Sequence, residues 1–175
     1  MFARVMCILP VAFLFGACRP APSFTEAERR AVTSEVTATL NELTEAINDH
    51  EPERVAAFYT DAPEFLFLGC TSAVTGGARF KQVVVPTYGP GRGATFEQRV
   101  VAVQALSPAA AVALQRGSST KAPALFWTRV LVRQDGRWVI TYEHQSWPDC
   151  DPPPAPHPQT TPSDSARLLP GGIAK

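Results

Sequence analysis

The period of the apolar positions along the chain changes part-way through. In the first third, apolar residues recur at steps of three and four, which is the period of an amphipathic helix. These positions are Val32, Val36, Leu40, Leu43 and Ile47. Ser23-Phe24-Thr25-Glu26 has the form of a capping box, a hydroxyl followed three residues later by a carboxylate. The pattern therefore predicts a long helix that begins at this box and ends near Asn48.

A second, shorter helix and then a series of strands follow. Pro52 suits the first turn of a helix, and Val55, Phe58 and Tyr59 fall on one face of that helix. A short apolar run, a possible hairpin partner and a third helix follow at Glu64 to Cys70, Ser72 to Thr75 and Ala78 to Val85. Strand signals then cover residues 95–106, 109–117, 124–133 and 137–147. Helices first and long strands afterwards predict an α+β domain with antiparallel pairing.

The last two strands form a hairpin whose register the sequence predicts. Asp135-Gly136 between two apolar runs is a two-residue turn signal. The pairs it predicts are Gln134 with Arg137, Arg133 with Trp138, Leu131 with Ile140, Arg129 with Tyr142, and Trp127 with His144. The opposite face then carries Thr128, Val130, Val132, Val139, Thr141 and Glu143. Both faces hold apolar or β-branched residues, so both need cover. We expect the long helix to cover one face and a second copy of the chain to cover the other.

The first 17 residues read as a signal peptide, because one basic residue precedes an apolar run too short to span a bilayer. The run ends in Phe15-Gly16-Ala17-Cys18, which resembles the lipobox of bacterial lipoproteins except that the family usually has leucine at the position of Phe15. The resemblance implies cleavage before Cys18, acylation of its thiol and attachment to a membrane through lipid. In Gram-negative lipoproteins an aspartate directly after the cysteine is the usual signal for retention in the inner membrane. Arg19 stands at that position here, so the resemblance favours the periplasmic side of the outer membrane. The alternative is a plain secreted protein cut after Ala17.

The other end of the chain is rich in proline, serine and threonine and has no helical or strand period. It predicts a disordered tail over residues 149–175, in which His157 lies between prolines. The organisation predicted is a signal peptide at 1–17, a linker at 18–22, one folded domain at 23–148 and this tail.

Charge and cysteine content narrow the function classes. The chain has 16 basic and 16 acidic residues and no basic cluster, which gives no indication of nucleic acid binding. Of its four cysteines, Cys70 and Cys150 remain after the signal peptide and the lipidated position are set aside. In an oxidising compartment these two cysteines can form a disulfide or remain unpaired with each other, and the sequence leaves both alternatives open. No spacing of histidine or cysteine predicts a metal or a cofactor.

The order of these elements resembles the nuclear transport factor 2-like superfamily, in its SnoaL-like, ketosteroid-isomerase-like branch. The resemblance is carried by Val55 to Asp61 (VAAFYTD) and by Asp135 to Ser146 (DGRWVITYEHQS), in their places after the capped helix and in the closing hairpin. It implies a cone-shaped, cystatin-like fold in which about three N-terminal helices pack on a bent, mainly antiparallel sheet. It also implies a cavity open at one end and a dimer through the outer sheet face.

Fold alone does not give function in this superfamily. In the isomerase branch a carboxylate on the first strand and a tyrosine on the first helix carry the chemistry. Here that strand reads Phe65 to Leu68, and the first helix contains no tyrosine. Glu64 is expected to face water, and Asp61, at the family's usual acidic position, is expected to end a helix. The sequence therefore disfavours ketosteroid-type isomerisation.

The predicted hairpin register brings Trp127, Arg129, Tyr142 and His144 together near the mouth of the cone. Such a set is typical either of a small-molecule pocket or of a packed aromatic cluster. Three hypotheses follow. The first is a lipid-anchored, non-catalytic domain that binds a small apolar or aromatic ligand or acts as an accessory. The second is a cofactor-free isomerase or lyase that uses His144 and Tyr142. The third is a dimerising scaffold whose cone is filled by Phe65, Phe67 and Trp138.

Overall fold

The computed structural model describes residues 24–120 and 122–148. Its helices are α1 (Glu26–Asn48), α2 (Pro52–Ala56) and α3 (Gly77–Val83), and a 3-10 helix (Val85–Tyr88) follows α3. Its strands are β1 (Leu66–Leu68), β2 (Ala73–Thr75), β3 (Phe96–Ser107), β4 (Ala110–Ser119), β5 (Ala122–Gln134) and β6 (Arg137–Ser146). The predicted signal peptide, linker and tail lie outside the described residues.

The N-cap of helix α1 lies two residues later than predicted, at Thr25 instead of Ser23. Its N-cap is Thr25, whose hydroxyl accepts from the backbone N–H of Glu28, while the Glu28 carboxylate accepts from the backbone N–H of Thr25 at 2.7 Å. The sequence contains two overlapping candidates for this motif, and the second one forms the cap. The end of the helix at Asn48 agrees with the prediction.

The six strands form one mixed sheet in the order β2-β1-β6-β5-β4-β3. Strands β3 to β6 run as an antiparallel meander, whereas β1 lies parallel to β6. Irregularities in register interrupt the pairing of β3 with β4, of β4 with β5 and of β5 with β6. Such bulges bend strands and increase their twist. The predicted α+β class and the mainly antiparallel sheet are confirmed.

Helix α1 covers the inner face of the sheet and also ties down its edge strand. The predicted stripe is buried in full, because Val32, Val36, Leu40, Leu43 and Ile47 are each at most 4% exposed. At the end of the helix, the Asn48 side chain donates to the carbonyl of Phe96 at 2.9 Å and accepts from its N–H at 2.8 Å. The helix thereby pairs the backbone N–H and C=O of Phe96 on the edge strand β3, which would otherwise be available to pair with another strand.

Aromatic side chains fill the part of the cone near the short helices. The ring of Phe80 lies 4.6 Å from Tyr59, 4.9 Å from Phe65 and 5.3 Å from Phe67, measured between centroids. Phe65, Phe67 and Trp138, the three residues expected to fill the cone in the scaffold hypothesis, are 1%, 6% and 7% exposed. This part of the interior is packed core.

The closing hairpin follows the predicted register only near its turn. Asp135 and Gly136 have φ values of 50° and 78°, as a type I′ turn requires, and the pairs Gln134–Arg137, Arg133–Trp138 and Leu131–Ile140 form as expected. Beyond Ile140 a bulge shifts the register by one residue. Arg129 then pairs with Glu143, and Thr128 with His144. The predicted pairs Arg129–Tyr142 and Trp127–His144 are wrong.

No helix within residues 24–120 and 122–148 is long and apolar enough to cross a membrane.

Candidate functional site

The one-residue shift in β6 exchanges the two faces of its second half, because successive side chains of a strand point to opposite sides. Glu143 turns inward and is fully buried. His144 is exposed and Tyr142 partly exposed on the outer face, whereas Trp127 and Arg129 are buried on the inner face. The prediction that these four side chains converge in one pocket is wrong: the structure brings Trp127 and Arg129 together and separates them from Tyr142 and His144.

The inner face carries a buried ion-pair cluster made of Arg129, Glu143, Tyr59 and Gln115. The Nε of Arg129 donates to Oε2 of Glu143 at 2.7 Å, and the hydroxyl of Tyr59 donates to the same oxygen at 2.8 Å. Each of the four residues is at most 2% exposed. Backbone hydrogen bonds from Ile140 to Phe58 and from Thr60 to Ile140 hold Tyr59 alongside β6. The cluster is therefore positioned by the sheet and by the segment after α2.

A chain of side-chain hydrogen bonds leads from this cluster toward α1. Arg129 donates to Oε1 of Gln115, and Nε2 of Gln115 donates to Oε1 of Gln98 at 3.3 Å. The hydroxyl of Thr44 on α1 lies within hydrogen-bond distance of the same Gln98 oxygen, at 3.2 Å. Buried polar groups have to be paired to be tolerated, and this chain pairs them across three strands and a helix.

The apolar wall of the cluster is built by Trp127 and Phe96. The guanidinium carbon of Arg129 lies 5.8 Å from the centroid of the Trp127 ring, and Phe96 meets that ring edge-on at 5.9 Å. Within the described part of the chain, Oε1 of Glu143 is the one buried side-chain nitrogen or oxygen without a hydrogen-bond partner. This oxygen is the unused acceptor of the inner face.

Burial and the ion pair together set the protonation of the cluster. Burial is the largest single influence and opposes the charge of Arg129, but the charge of Glu143, its hydrogen bond to Arg129 and the nearby phenols of Tyr59 and Tyr88 together outweigh burial. The pKa of Arg129 is therefore raised above its usual value. Burial raises the pKa of Tyr59 well above its usual range, and the charge of Glu143 raises it further. The pKa of Tyr88 is raised for the same two reasons. The cluster thus holds a charged arginine and a neutral phenol.

The raised pKa of Tyr59 predicts a specific loss of stability at alkaline pH. In the unfolded chain this phenol ionises near pH 10, whereas in the fold it keeps its proton, so its contribution is complete below about pH 10 and is lost as the pH rises further. We expect Tyr59→Phe to lose less free energy of unfolding than the wild type between about pH 9 and about pH 11. At neutral pH the variant is expected to be about 1 to 3 kcal/mol less stable, because Glu143 loses a donor.

Urea denaturation across this pH range measures both effects. Tyr142→Phe is the matched control, because it removes a phenol that lies on the outer face instead. Equal alkaline slopes for the wild type and Tyr59→Phe would contradict the assigned role of Tyr59.

The remaining candidates lie away from the cluster. Asp61 is exposed and pairs with Lys81 at 2.8 Å, and Glu64 is exposed, as expected. Cys70 is 3% exposed and is disulfide-bonded. Its predicted partner, Cys150, lies outside the described residues, as do Cys18 and His157, so the pairing of Cys70 with Cys150 stays a prediction.

Two surface grooves of about 640 Å³ each lie apart from the cluster. One is lined by residues of β3 and β4 together with Thr44, and the other lies between α1, the region of α2 and the closing hairpin, where Trp138 and Arg133 line it. Arg129 and Glu143 line neither groove.

The sequence profile of the SnoaL-like domain matches residues 36–150, which is most of the folded part. The chain belongs to the SnoaL-like family. No curated protein matches this SnoaL-like chain.

Solved structures similar to this SnoaL-like domain support the fold. A cystatin-like fold protein from Burkholderia xenovorans aligns with a TM-score of 0.58 at 18% identity, over 68% of this chain and 93% of its own. An NTF-2 like protein of unknown function from Shewanella oneidensis aligns with a TM-score of 0.53 at 20% identity, over 65% and 98%. A ketosteroid isomerase-like protein from Erwinia carotovora atroseptica aligns with a TM-score of 0.51 at 16% identity, over 65% and 94%. At these identities the likeness concerns the fold alone.

Sequence reasoning missed most of the buried cluster. Glu143 was assigned to the outer face, Tyr59 was interpreted only as part of a helix face, and Gln115 was not singled out. A glutamate inside an otherwise apolar strand is the signal that could have drawn attention to Glu143, because a carboxylate is almost never buried without a partner. Arg129, two positions from Trp127 on the neighbouring strand, was the natural candidate for that partner.

Proposed function

We propose that this chain is a lipid-anchored, non-catalytic SnoaL-like accessory domain of the bacterial cell envelope, and that it acts as a homodimer. The observation that carries the proposal is an apolar surface on the outer sheet face, which we call the outer apolar patch. It consists of Val112, Leu114, Phe126, Val130 and Tyr142. Leu114 and Phe126 are 36% and 39% exposed in the single chain. Contiguous exposed apolar surface of this kind marks an interaction site.

The patch differs in composition from the one expected from sequence. Of the three valines that suggested a second copy, Val139 is only 5% exposed, and Val130 and Val132 are partly buried. Strand β4 supplies Leu114, which is more exposed than any of these valines. Leu114 pairs with Thr128, and the next pair along these two strands on the same face is Val112 with Val130. A self-complementary contact between two copies covers the same patch on both chains at once.

The interior of the cone supports a role without catalysis. Arg129 and Glu143 are buried and neutralise each other, so neither reaches a surface groove described above. His144 and Tyr142, the pair considered for acid-base chemistry, lie on the outer face. The first strand presents Leu66, Phe67 and Leu68 where an isomerase-like site needs a carboxylate. A general acid or base has to come within hydrogen-bond reach of its substrate, and none of these groups lines either of the two grooves described above.

The lipid anchor in this proposal rests on the sequence around Cys18. An acylated Cys18 holds the protein at a membrane, since each buried methylene contributes about 0.8 kcal/mol. In the sequence, seven residues (19–25) separate Cys18 from the start of α1 at Glu26.

The anchor is tested by replacing Cys18 with serine. We expect the wild type to partition into the detergent phase and to incorporate labelled fatty acid, and we expect Cys18→Ser to lose both properties, because serine has no thiol to acylate. Cys70→Ser is the matched control for loss of a cysteine and is expected to keep the label. Recovery of the wild type as a water-soluble species cleaved after Ala17 would show that the chain is a plain secreted protein.

A second function, binding of a small polar molecule inside the cone, is favoured by one observation. Oε1 of Glu143 is buried and has no hydrogen-bond partner among the described residues. A buried acceptor without a partner is costly, and a ligand that donates a hydroxyl or amine proton to it removes that cost. In this candidate Arg129 and Tyr59 hold the carboxylate in place, and the ligand binds its free oxygen.

A further inference from the structure

The groove between β3 and β4, which we call the β3–β4 groove, lies at the edge of the sheet near the C-terminal half of α1. It has a volume of about 640 Å³. Its lining is polar over most of its extent and consists of Thr44, Phe96, Glu97, Gln98, Arg99, Arg116, Gly117 and Ser118. The groove is distinct from the buried ion-pair cluster and lies beside the outer apolar patch.

Two arginines stand directly opposite each other in this groove. Arg99 of β3 pairs in register with Arg116 of β4. Both are exposed, and neither forms an ion pair within residues 24–120 and 122–148. The guanidinium carbon of Arg116 lies 5.8 Å from the centroid of the Phe126 ring. Like charges directly opposite on neighbouring strands are unfavourable, so this pair is suited to an anion that bridges it.

The wall of the groove depends on a glycine and on a bulge. A Cβ atom at Gly117 would lie 1.9 Å from the carbonyl oxygen of Glu97, so only glycine allows β4 to approach β3 this closely. Directly after it, the register of β4 against β5 shifts between Gly117 and Ser119. Bulges of this kind redirect side chains and are common beside binding sites.

We propose that the β3–β4 groove binds a small soluble oxyanion, a carboxylate or a phosphate, whose oxygens bridge Arg99 and Arg116. Charge-assisted hydrogen bonds from guanidinium groups to such oxygens are the strong ones in proteins. Glu97 also lines the groove and leaves one net positive charge among its charged lining residues, which suits a singly charged group. The inference is independent of the proposed function, because it needs neither the dimer nor the lipid.

Calorimetric titration of the full chain in neutral detergent tests this inference, with acetate and inorganic phosphate as probes and chloride at equal ionic strength as the reference. We expect at least one of the two probes to bind, and Arg99→Gln and Arg116→Gln each to weaken its binding by about tenfold or more, because each removes one charged donor. Arg137→Gln is the matched control. It removes an exposed arginine of β6, also without an ion pair in the described segments, and is expected to keep wild-type binding.

The comparison of the two probes identifies the chemical class, since binding of acetate assigns a carboxylate and binding of phosphate alone assigns a phosphate. Failure of both probes to bind the wild type beyond chloride overturns the proposal. Equal weakening by Arg137→Gln and Arg99→Gln also overturns it, because it shows a general effect of net charge. Both groove arginines are exposed, so the variants are expected to keep the wild-type melting temperature, and a melting curve of each variant verifies that it is folded.

Discussion

Replacing Arg129 by methionine is expected to lower the free energy of unfolding by about 3 to 5 kcal/mol. The substitution keeps an unbranched side chain but leaves Glu143 fully buried without a counter-charge. It also removes the donor to Gln115 and the contact of the guanidinium with Trp127. Urea denaturation at neutral pH measures the loss.

Two further variants separate this effect from ordinary loss of an ion pair. Arg133→Met is the matched control, since Arg133 lies on the same strand, pairs with Glu35 and is partly exposed. We expect it to cost about 1 kcal/mol or less. The double variant Arg129→Met with Glu143→Leu removes both charges and is expected to recover most of the stability lost by the single variant. If Arg129→Met alone lowered the free energy of unfolding by no more than Arg133→Met does, the result would contradict the buried position of the cluster.

Replacing Leu114 by glutamate is expected to convert the proposed dimer to a monomer. In a symmetric contact each copy places one charge in the apolar interface, and a central residue of an interface typically contributes about 2 kcal/mol or more per copy. The two copies together weaken association by about 4 kcal/mol, on the order of a thousandfold. Sedimentation equilibrium over a range of concentrations measures this change. Because Leu114 is 36% exposed in the single chain, the monomer is expected to stay folded.

Val83→Glu is the matched control for the outer face. Val83 lies at the end of α3, away from the outer apolar patch, and is 47% exposed against 36% for Leu114, so the variant places the same charge on another exposed apolar position. We expect this variant to associate like the wild type. If the wild type is monomeric at micromolar concentration, the outer apolar patch is not a dimer interface. The same conclusion follows if Leu114→Glu dimerises as the wild type does.

The hairpin shows where sequence reasoning succeeded and where it failed. The turn at Asp135-Gly136 is specified by the conformational preferences of those two residues, so the register close to it was predictable. The bulge after Ile140 has no such local signal. It arises where β6 pairs with β5 on one side and with the short parallel strand β1 on the other. One extra residue there was enough to move His144 out of the predicted pocket and Glu143 into the core.

The long helix and the buried cluster show the same contrast. The buried stripe of α1, from Val32 to Ile47, repeats with a fixed period and was correct at every position named. The cluster instead joins residues as far apart in sequence as Tyr59 and Glu143, and no periodicity links them. Its existence follows from the requirement that buried charges be paired, but its members can be identified only once the strands are aligned.

Native mass spectrometry of the full-length protein, extracted from the membranes of its own host, tests whether this SnoaL-like domain is a lipid-anchored, non-catalytic homodimer. We expect a complex of two chains, each beginning at an acylated Cys18, with no small molecule retained inside the cone. A single unmodified chain would contradict both the anchor and the dimer. A small molecule retained in stoichiometric amount, and lost on Glu143→Gln, would instead establish the cone interior as a binding site.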